Sequence, residues 1–156
     1  MAKKDLKEIY DELNKKYKLP SFKELNEEFD IGKAEFNEHT ILRDIRKTIM
    51  VKFSSSLQLT ELLLNPSNGS MFNMLLTRGI ESQEKIILEK LFDTLGQIEI
   101  KSYTLDIEYS EKAEAEFIKN SSEEWKKVSK ELNSIIKKLG ENWKKDNSKK
   151  SKSYFG

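Results

Sequence analysis

Cysteine is absent from the 156-residue chain, and proline and glycine are scarce. Without cysteine the protein has no disulfide, no thiol nucleophile and no thiolate metal ligand, which fits a reducing compartment. The chain also lacks any apolar run of the roughly 18 residues that a membrane span needs. Its first residues mix charges of both signs and show no apolar signal region. We therefore expect a cytoplasmic protein.

Histidine occurs once, at His39. Zinc and di-iron sites in helical proteins commonly use several histidines in a Glu-x-x-His spacing, and Phe36 stands where the glutamate would be. One histidine without a nucleophile elbow cannot build a Ser-His-Asp triad, and neither a Walker loop nor a GxGxxG motif is present. We predict no catalytic, cofactor-binding or metal-binding residue and no small-molecule substrate. An enzyme that uses carboxylates or an unrecognised pocket is the least favoured reading.

Three glutamates near the start of the last helix are the best carboxylate cluster. Glu111 and Glu114 share one helical face, whereas Glu116 points elsewhere. We favour a solvated acidic face balanced by Lys112 and Lys119 over a metal site.

A second polar cluster contains Arg43, Arg46 and Lys47. Two arginines one helical turn apart can clamp a phosphate or a carboxylate. Pairing with nearby Asp44 and Glu38 explains the same residues, and we favour that interpretation.

The spacing of apolar residues predicts an all-α fold. Leu19-Pro20 ends the first helix, and Ser21 with Glu24 forms a capping box that begins the second. A similar pair, Ser121 and Glu124, indicates a bend or restart near residue 120. The helices are expected over residues 3–18, 22–30, 35–64, 71–78 and 83–109, with a last helix from Ser110 to about 145.

Two long apolar seams dominate the second half of the chain. The first runs from Leu88 to Tyr109 in steps of three and four, and the second from Ala113 to Trp143. A short link between them predicts antiparallel neighbours. A β-hairpin over residues 97–109 is the alternative, but the helical register continues through it. We predict a helical bundle built on a long antiparallel C-terminal αα-hairpin, with shorter N-terminal helices packed on it.

We predict a single helical domain over residues 1–145 and a basic, disordered tail over residues 146–156. Charge is unevenly distributed along the chain. Residues 81–116 contain ten acidic and four basic residues, a net charge of −6, whereas residues 137–156 contain seven lysines and two acids, a net charge of +5. The tail combines charge with aromatic rings, a pattern typical of weak nucleic-acid binding. The nucleic-acid candidates are Lys149, Lys150, Lys152, Tyr154 and Phe155.

The two tryptophans lie 18 residues apart, about five helical turns, and therefore share one face. In the hairpin register Trp125 falls opposite Ile98 and Ser102, where a small side chain leaves room for an indole. We expect Trp125 to be buried. Trp143 falls opposite residues 78–80 and must pack on the short helix before them or stay partly exposed. The partner-binding candidates are Arg78, Trp143, Lys144 and Lys145.

Two stretches carry a resemblance, KYKLPSFKELNEEFDI at 16–31 and EYSEKAEAEFIKNSSEEWKKVSKEL at 108–132. In them the chain resembles a family of small, uncharacterised all-helical archaeal proteins. The resemblance covers the N-terminal forty residues and the C-terminal hairpin, and it implies a helical, cytoplasmic protein without transferring any activity or ligand.

The absence of catalytic groupings and the paired seams favour a non-enzymatic helical protein–protein interaction module, an adaptor or accessory subunit. Its partner is expected to be another protein or, through helical faces, a second copy. The alternative is a nucleic-acid- or ribosome-associated factor that uses the basic tail.

Overall fold

A computed structural model describes the backbone of residues 5–154 and the side chains of residues 5–146. The described chain is helical and contains no strand, so the predicted all-α fold is confirmed. The favoured helix over residues 97–109 is confirmed as far as Ile107. The helices are α1 (Leu6–Tyr17), α2 (Phe22–Phe29), α3 (Ile41–Leu64), α4 (Met71–Leu76), α5 (Ser82–Ile107) and α6 (Glu111–Tyr154).

Serine caps begin three of these helices. The Ser21 hydroxyl accepts a hydrogen bond from the Glu24 backbone N–H at 3.1 Å, as the capping box predicts. Ser70 caps α4 in the same way, and Ser110 caps α6 by accepting from the Ala113 N–H. These bonds satisfy backbone donors that the first helical turn leaves unpaired.

The second predicted capping box is wrong. Helix α6 runs through residues 121–124 without interruption, and the Ser121 hydroxyl donates instead to the Ile118 carbonyl oxygen. The helix also continues to Tyr154, past the predicted boundary at residue 145. Residues 144–154 contain neither glycine nor proline, so no residue there stops a helix.

The predicted start of the third helix near residue 35 is also wrong, because α3 begins at Ile41. The Asp44 carboxylate accepts hydrogen bonds from the Asn37 backbone N–H and the Thr40 hydroxyl. These bonds hold residues 37–40 in a turn that leads into the helix.

The chain divides into two compact units, whose boundaries fall inside α3, α5 and α6. Unit 1 comprises Met1–Ser55 and Leu95–Lys126, and unit 2 comprises Ser56–Thr94 and Lys127–Gly156. The single domain over residues 1–145 and the α5–α6 hairpin stay predictions.

The core of unit 1 contains the predicted buried tryptophan. The Trp125 ring packs against Phe53 and Phe29, with ring centroids 5.1 and 5.9 Å away, and its indole N–H donates to Glu28. The space beside Ser102, predicted to take the indole, is occupied by the guanidinium of Arg46.

The core of unit 2 is aliphatic. It contains buried residues of α3, α5 and α6, and at its edge the Lys138 ammonium pairs with Glu84 of α5 and with Glu81, which precedes that helix. Among the side chains that the structure describes, the buried apolar residues of this unit are Leu63, Leu88, Leu91, Val128, Leu132, Ile135 and Leu139.

Candidate protein-interaction surface

Helix α4 presents an apolar surface in unit 2. Residues 62–77 contain no charged side chain, so nothing in this segment is driven to solvent by charge. Met71, Phe72 and Met74 are exposed at 75%, 54% and 52%. Together with half-buried Trp143 of α6 they form what we call the α4 surface.

An aromatic pair holds this surface together. The rings of Phe72 and Trp143 lie 5.2 Å apart between centroids, with their planes inclined at 56°. Trp143 thus packs on the short helix, one of the two positions expected for it. Gly79, which follows α4, lies close to Asn142 of α6. A Cβ added to Gly79 would be only 2.6 Å from Asn142 Nδ2, so this close approach depends on glycine.

The other predicted partner-binding residues lie beside this surface in the chain. Arg78 follows α4, and Lys144 and Lys145 follow Trp143; all three side chains are exposed. Glu141 and Asp146, also exposed, lie on the same part of α6.

This combination of residues suits protein binding. Contiguous exposed apolar patches on soluble proteins mark interaction sites. Methionine adapts to the shape of a partner, and tryptophan is among the residues that contribute most to binding energy. The α4 surface contains two exposed methionines beside an aromatic pair.

Unit 1 carries a second exposed apolar set, on α5. Ile100, Tyr103 and Ile107 are exposed at 64%, 58% and 84%, and their spacing places them on one helical face. We call these three residues the α5 stripe. Gly96, one turn before Ile100, has no atom within 4 Å of the position that a Cβ would take, so space is open at that end. Glu99, Asp106 and Glu108 are the acidic residues next to the stripe in sequence, and Asp106 pairs with Arg46.

The α5 stripe was missed in the sequence because the seam from Leu88 to Tyr109 accounts for the helix by itself. A signal for it exists: positions 100, 103 and 107 repeat the same three-four spacing on another side of the helix. A second apolar face that stays exposed on a helix is a candidate binding surface.

The two arginines of the predicted basic cluster on α3 pair with other helices, Arg46 from a buried position and Arg43 from a half-buried one. The fully buried Arg46 donates to Glu114 Oε2 at 2.6 Å, to Asp106 Oδ1 at 2.7 Å and to the Ser102 hydroxyl at 2.6 Å. The hydrogen bond from Arg46 lowers the pKa of the Asp106 carboxyl. The predicted pairing of Arg46 within its own helix is therefore wrong.

Arg43 also bonds outside its helix. Its guanidinium donates to the backbone carbonyls of Leu105 and Asp106 and lies over the Tyr109 ring, 5.2 Å from the centroid. Asp44, its expected partner, instead holds the turn before α3. This cluster joins three helices of unit 1, and the arginines are not displayed together for a phosphate. Lys47 of the predicted cluster is exposed.

The three predicted surface glutamates have different environments. Glu114 is fully buried, which corrects the prediction of a solvated face, because Arg46 supplies its counter-charge. Glu111 accepts a hydrogen bond from the Tyr17 hydroxyl at 2.6 Å and from the Lys16 ammonium, so it links α6 to α1. The Tyr17 hydrogen bond lowers the pKa of Glu111. Glu116 is exposed.

His39 lines an open groove of about 670 Å³ between α1 and the segment before α3. The groove lining is mixed, with apolar Leu6, Ile9 and Phe36 beside polar Asn37 and Glu38. Within the described residues no group of three histidine or carboxylate side chains is placed to hold a metal ion. No described helix is long and apolar enough to cross a membrane.

The nucleic-acid candidates lie outside the described side chains. The side chains of Lys149, Lys150, Lys152 and Tyr154 and the whole of Phe155 belong to this part, so the tail hypothesis stays a prediction.

No protein-family model matches the chain, and no curated protein or solved structure is significantly similar to it. The resemblance to small archaeal helical proteins is tested by none of these comparisons and stays a hypothesis.

Proposed function

We propose that this chain is a non-enzymatic helical protein–protein interaction module, an adaptor or accessory subunit, whose α4 surface binds a partner protein. The observation that carries the proposal is the exposure of Met71, Phe72 and Met74 beside Trp143. A cytoplasmic location fits the absence of cysteine.

The α4 surface offers enough apolar side chain to drive association. Fully burying a methionine or phenylalanine side chain contributes about 1.5–3 kcal/mol. Three such side chains begin more than half exposed. Part of this free energy of burial is offset by the translational and rotational entropy that two proteins lose on binding. The α4 surface alone therefore supports a moderate affinity.

Exposure of these side chains is not needed to begin the helix, because the Ser70 hydroxyl caps α4 by accepting a hydrogen bond from the Asn73 backbone N–H. Phe72 packs on Trp143 and so contributes to the docking of α4 as well as to the surface. Met71 and Met74 are exposed at 75% and 52%, so more than half of each side chain is available to a partner.

Site-specific photo-crosslinking tests the proposal. We would replace Met74 with a benzophenone amino acid, express the variant in the source cells and irradiate them. The matched control places the same group at Lys23, which is exposed on α2 of unit 1. A defined crosslinked protein is expected from position 74 and not from position 23. Irradiation that gives no product at position 74, or the same products at both positions, would overturn the proposal.

A further inference from the structure

We propose that the α4 surface of one copy binds the α5 stripe of a second copy, so that the chain self-associates head to tail. This inference rests on the proposed function, because it names a partner for the same surface.

The two surfaces match in chemistry and in length. Both are apolar and exposed, and each belongs to a single helix apart from Trp143. The six residues of α4 extend about 9 Å, and Ile100 to Ile107 extend about 10 Å along α5. One surface can therefore cover the other along its whole length.

Gly96 extends the fit at one end of the stripe. The space beside its Cα is open, one helical turn before Ile100. A bulky side chain of the other copy, such as Phe72, can lie over the glycine next to Ile100 and contact the helix backbone. Glycine at such a position permits a closer approach than any other residue.

Charge favours pairing between an α4 surface and an α5 stripe over pairing between two identical surfaces. Arg78 and Lys144 lie beside the α4 surface, whereas Glu99 and Glu108 lie beside the α5 stripe. The parts of the chain around them have the same signs: residues 95–116 of unit 1 contain six acidic and two basic residues, a net charge of −4, and residues 137–156 of unit 2 have a net charge of +5.

Two copies that met through their α4 surfaces would bring cations together, and two that met through their stripes would bring carboxylates together. Charges of the other sign reduce this contrast; they include Lys101 beside the stripe and, in the unit of the α4 surface, Glu141, Asp146 and Glu81, of which Glu81 pairs with Lys138.

The pairing is heterologous, because each copy uses a different surface from its neighbour. Every bound pair therefore keeps one unused α4 surface and one unused stripe, so association continues into a chain or closes into a ring. A contact between two single-helix surfaces is small, and its affinity is expected to be weak and dependent on concentration.

Complementation between two defective variants tests the inference. Met74→Glu disables the α4 surface and keeps the stripe, and Ile107→Lys does the reverse. Ile136→Glu, at another exposed apolar residue, is the matched control. Sedimentation velocity over a range of protein concentrations gives the mass of each sample. Since all three residues are exposed, each variant is expected to fold, and circular dichroism checks that it does.

Wild type and Ile136→Glu are expected to increase in mass with concentration, and to do so less at high salt. Met74→Glu and Ile107→Lys are each expected to remain monomeric alone. Their equimolar mixture is expected to form a dimer of twice the monomer mass and nothing larger, because one intact surface of each kind remains. Phe72→Glu and Ile100→Lys repeat the test should either first variant misfold.

Three results would overturn the inference. The first is a wild type that stays monomeric at every concentration, and the second is a mixture that stays monomeric. The third is loss of association in only one of the two variants, which indicates pairing between identical surfaces. A monomeric wild type that still crosslinks to another protein through position 74 would remove the self-association and leave the proposed function standing.

Discussion

Arg46 Nε lies 2.6 Å from Glu114 Oε2, and both side chains are fully buried although the residues are 68 positions apart. A buried charge is tolerated when a partner and hydrogen bonds replace its water. Here the partner comes from α6, and further acceptors come from Ser102 and Asp106 of α5. This pair and its α5 acceptors therefore join three helices of unit 1.

Breaking the pair on one side should strongly destabilise the fold. Glu114→Leu leaves the Arg46 guanidinium buried without its main counter-charge, and we expect a loss of about 3–5 kcal/mol in the free energy of unfolding. The double variant Arg46→Met/Glu114→Leu should recover most of that loss, since no unpaired charge remains. Urea unfolding followed by circular dichroism measures both. A double variant no more stable than Glu114→Leu would show that the pair is not the cause.

The Asp106 carboxyl should contribute to the stability of the protein against acid. The Arg46 hydrogen bond lowers the pKa of Asp106 in the folded state below its unfolded value of about 3.9. The stabilisation is therefore complete above the unfolded pKa and is lost as the pH falls through the folded pKa. Asp106→Asn should reduce the slope of stability against pH in that acid range. Urea midpoints measured at successive pH values report the slope, and parallel curves for both proteins would contradict the prediction.

The tryptophan of unit 1 should be a major contributor to stability. Trp125 packs between Phe53 and Phe29 and donates to Glu28, so Trp125→Ala leaves a cavity beside two rings and an unpaired acceptor. We expect a cost of about 3–5 kcal/mol in the free energy of unfolding. Trp125→Phe keeps most of the ring volume and should cost clearly less. If both variants unfold at the same urea concentration, ring packing is not the source of the effect.

The two tryptophans should differ in their access to solvent. In Trp125→Phe the remaining Trp143 is half-buried, whereas in Trp143→Phe the remaining Trp125 lies in the core. Acrylamide should therefore quench the first variant more strongly than the second. A Trp143 as shielded as Trp125 would remove the exposed aromatic ring from the α4 surface.

Much of the architecture could be predicted because it depends on local features. The Ser21 cap and the three-four seams involve residues within one helix, and the structure contains the corresponding helices. Local patterns gave the wrong helix boundary where another interaction involved the same residues. Asp44 binds backbone and side-chain groups before α3, and Ser121 lies inside α6.

The candidate surfaces could be predicted only in part. Trp143 was identified because, in the predicted hairpin register, it falls opposite residues 78–80, before the preceding long helix begins. The Arg46–Glu114 pair could not be found, because contact between residues so distant in sequence depends on how three helices pack. The α5 stripe was overlooked because a single amphipathic face was expected for each helix.

Gly79 offers control over the α4 surface from a residue outside it. A methyl group at position 79 would meet the Asn142 amide at 2.6 Å, one residue before Trp143. To remove this clash, either α4 or the Asn142 side chain must shift. A shift of α4 would change the angle between the Phe72 and Trp143 rings. A substitution such as Gly79→Ala could thus weaken or redirect recognition while every residue that touches the partner stays the same.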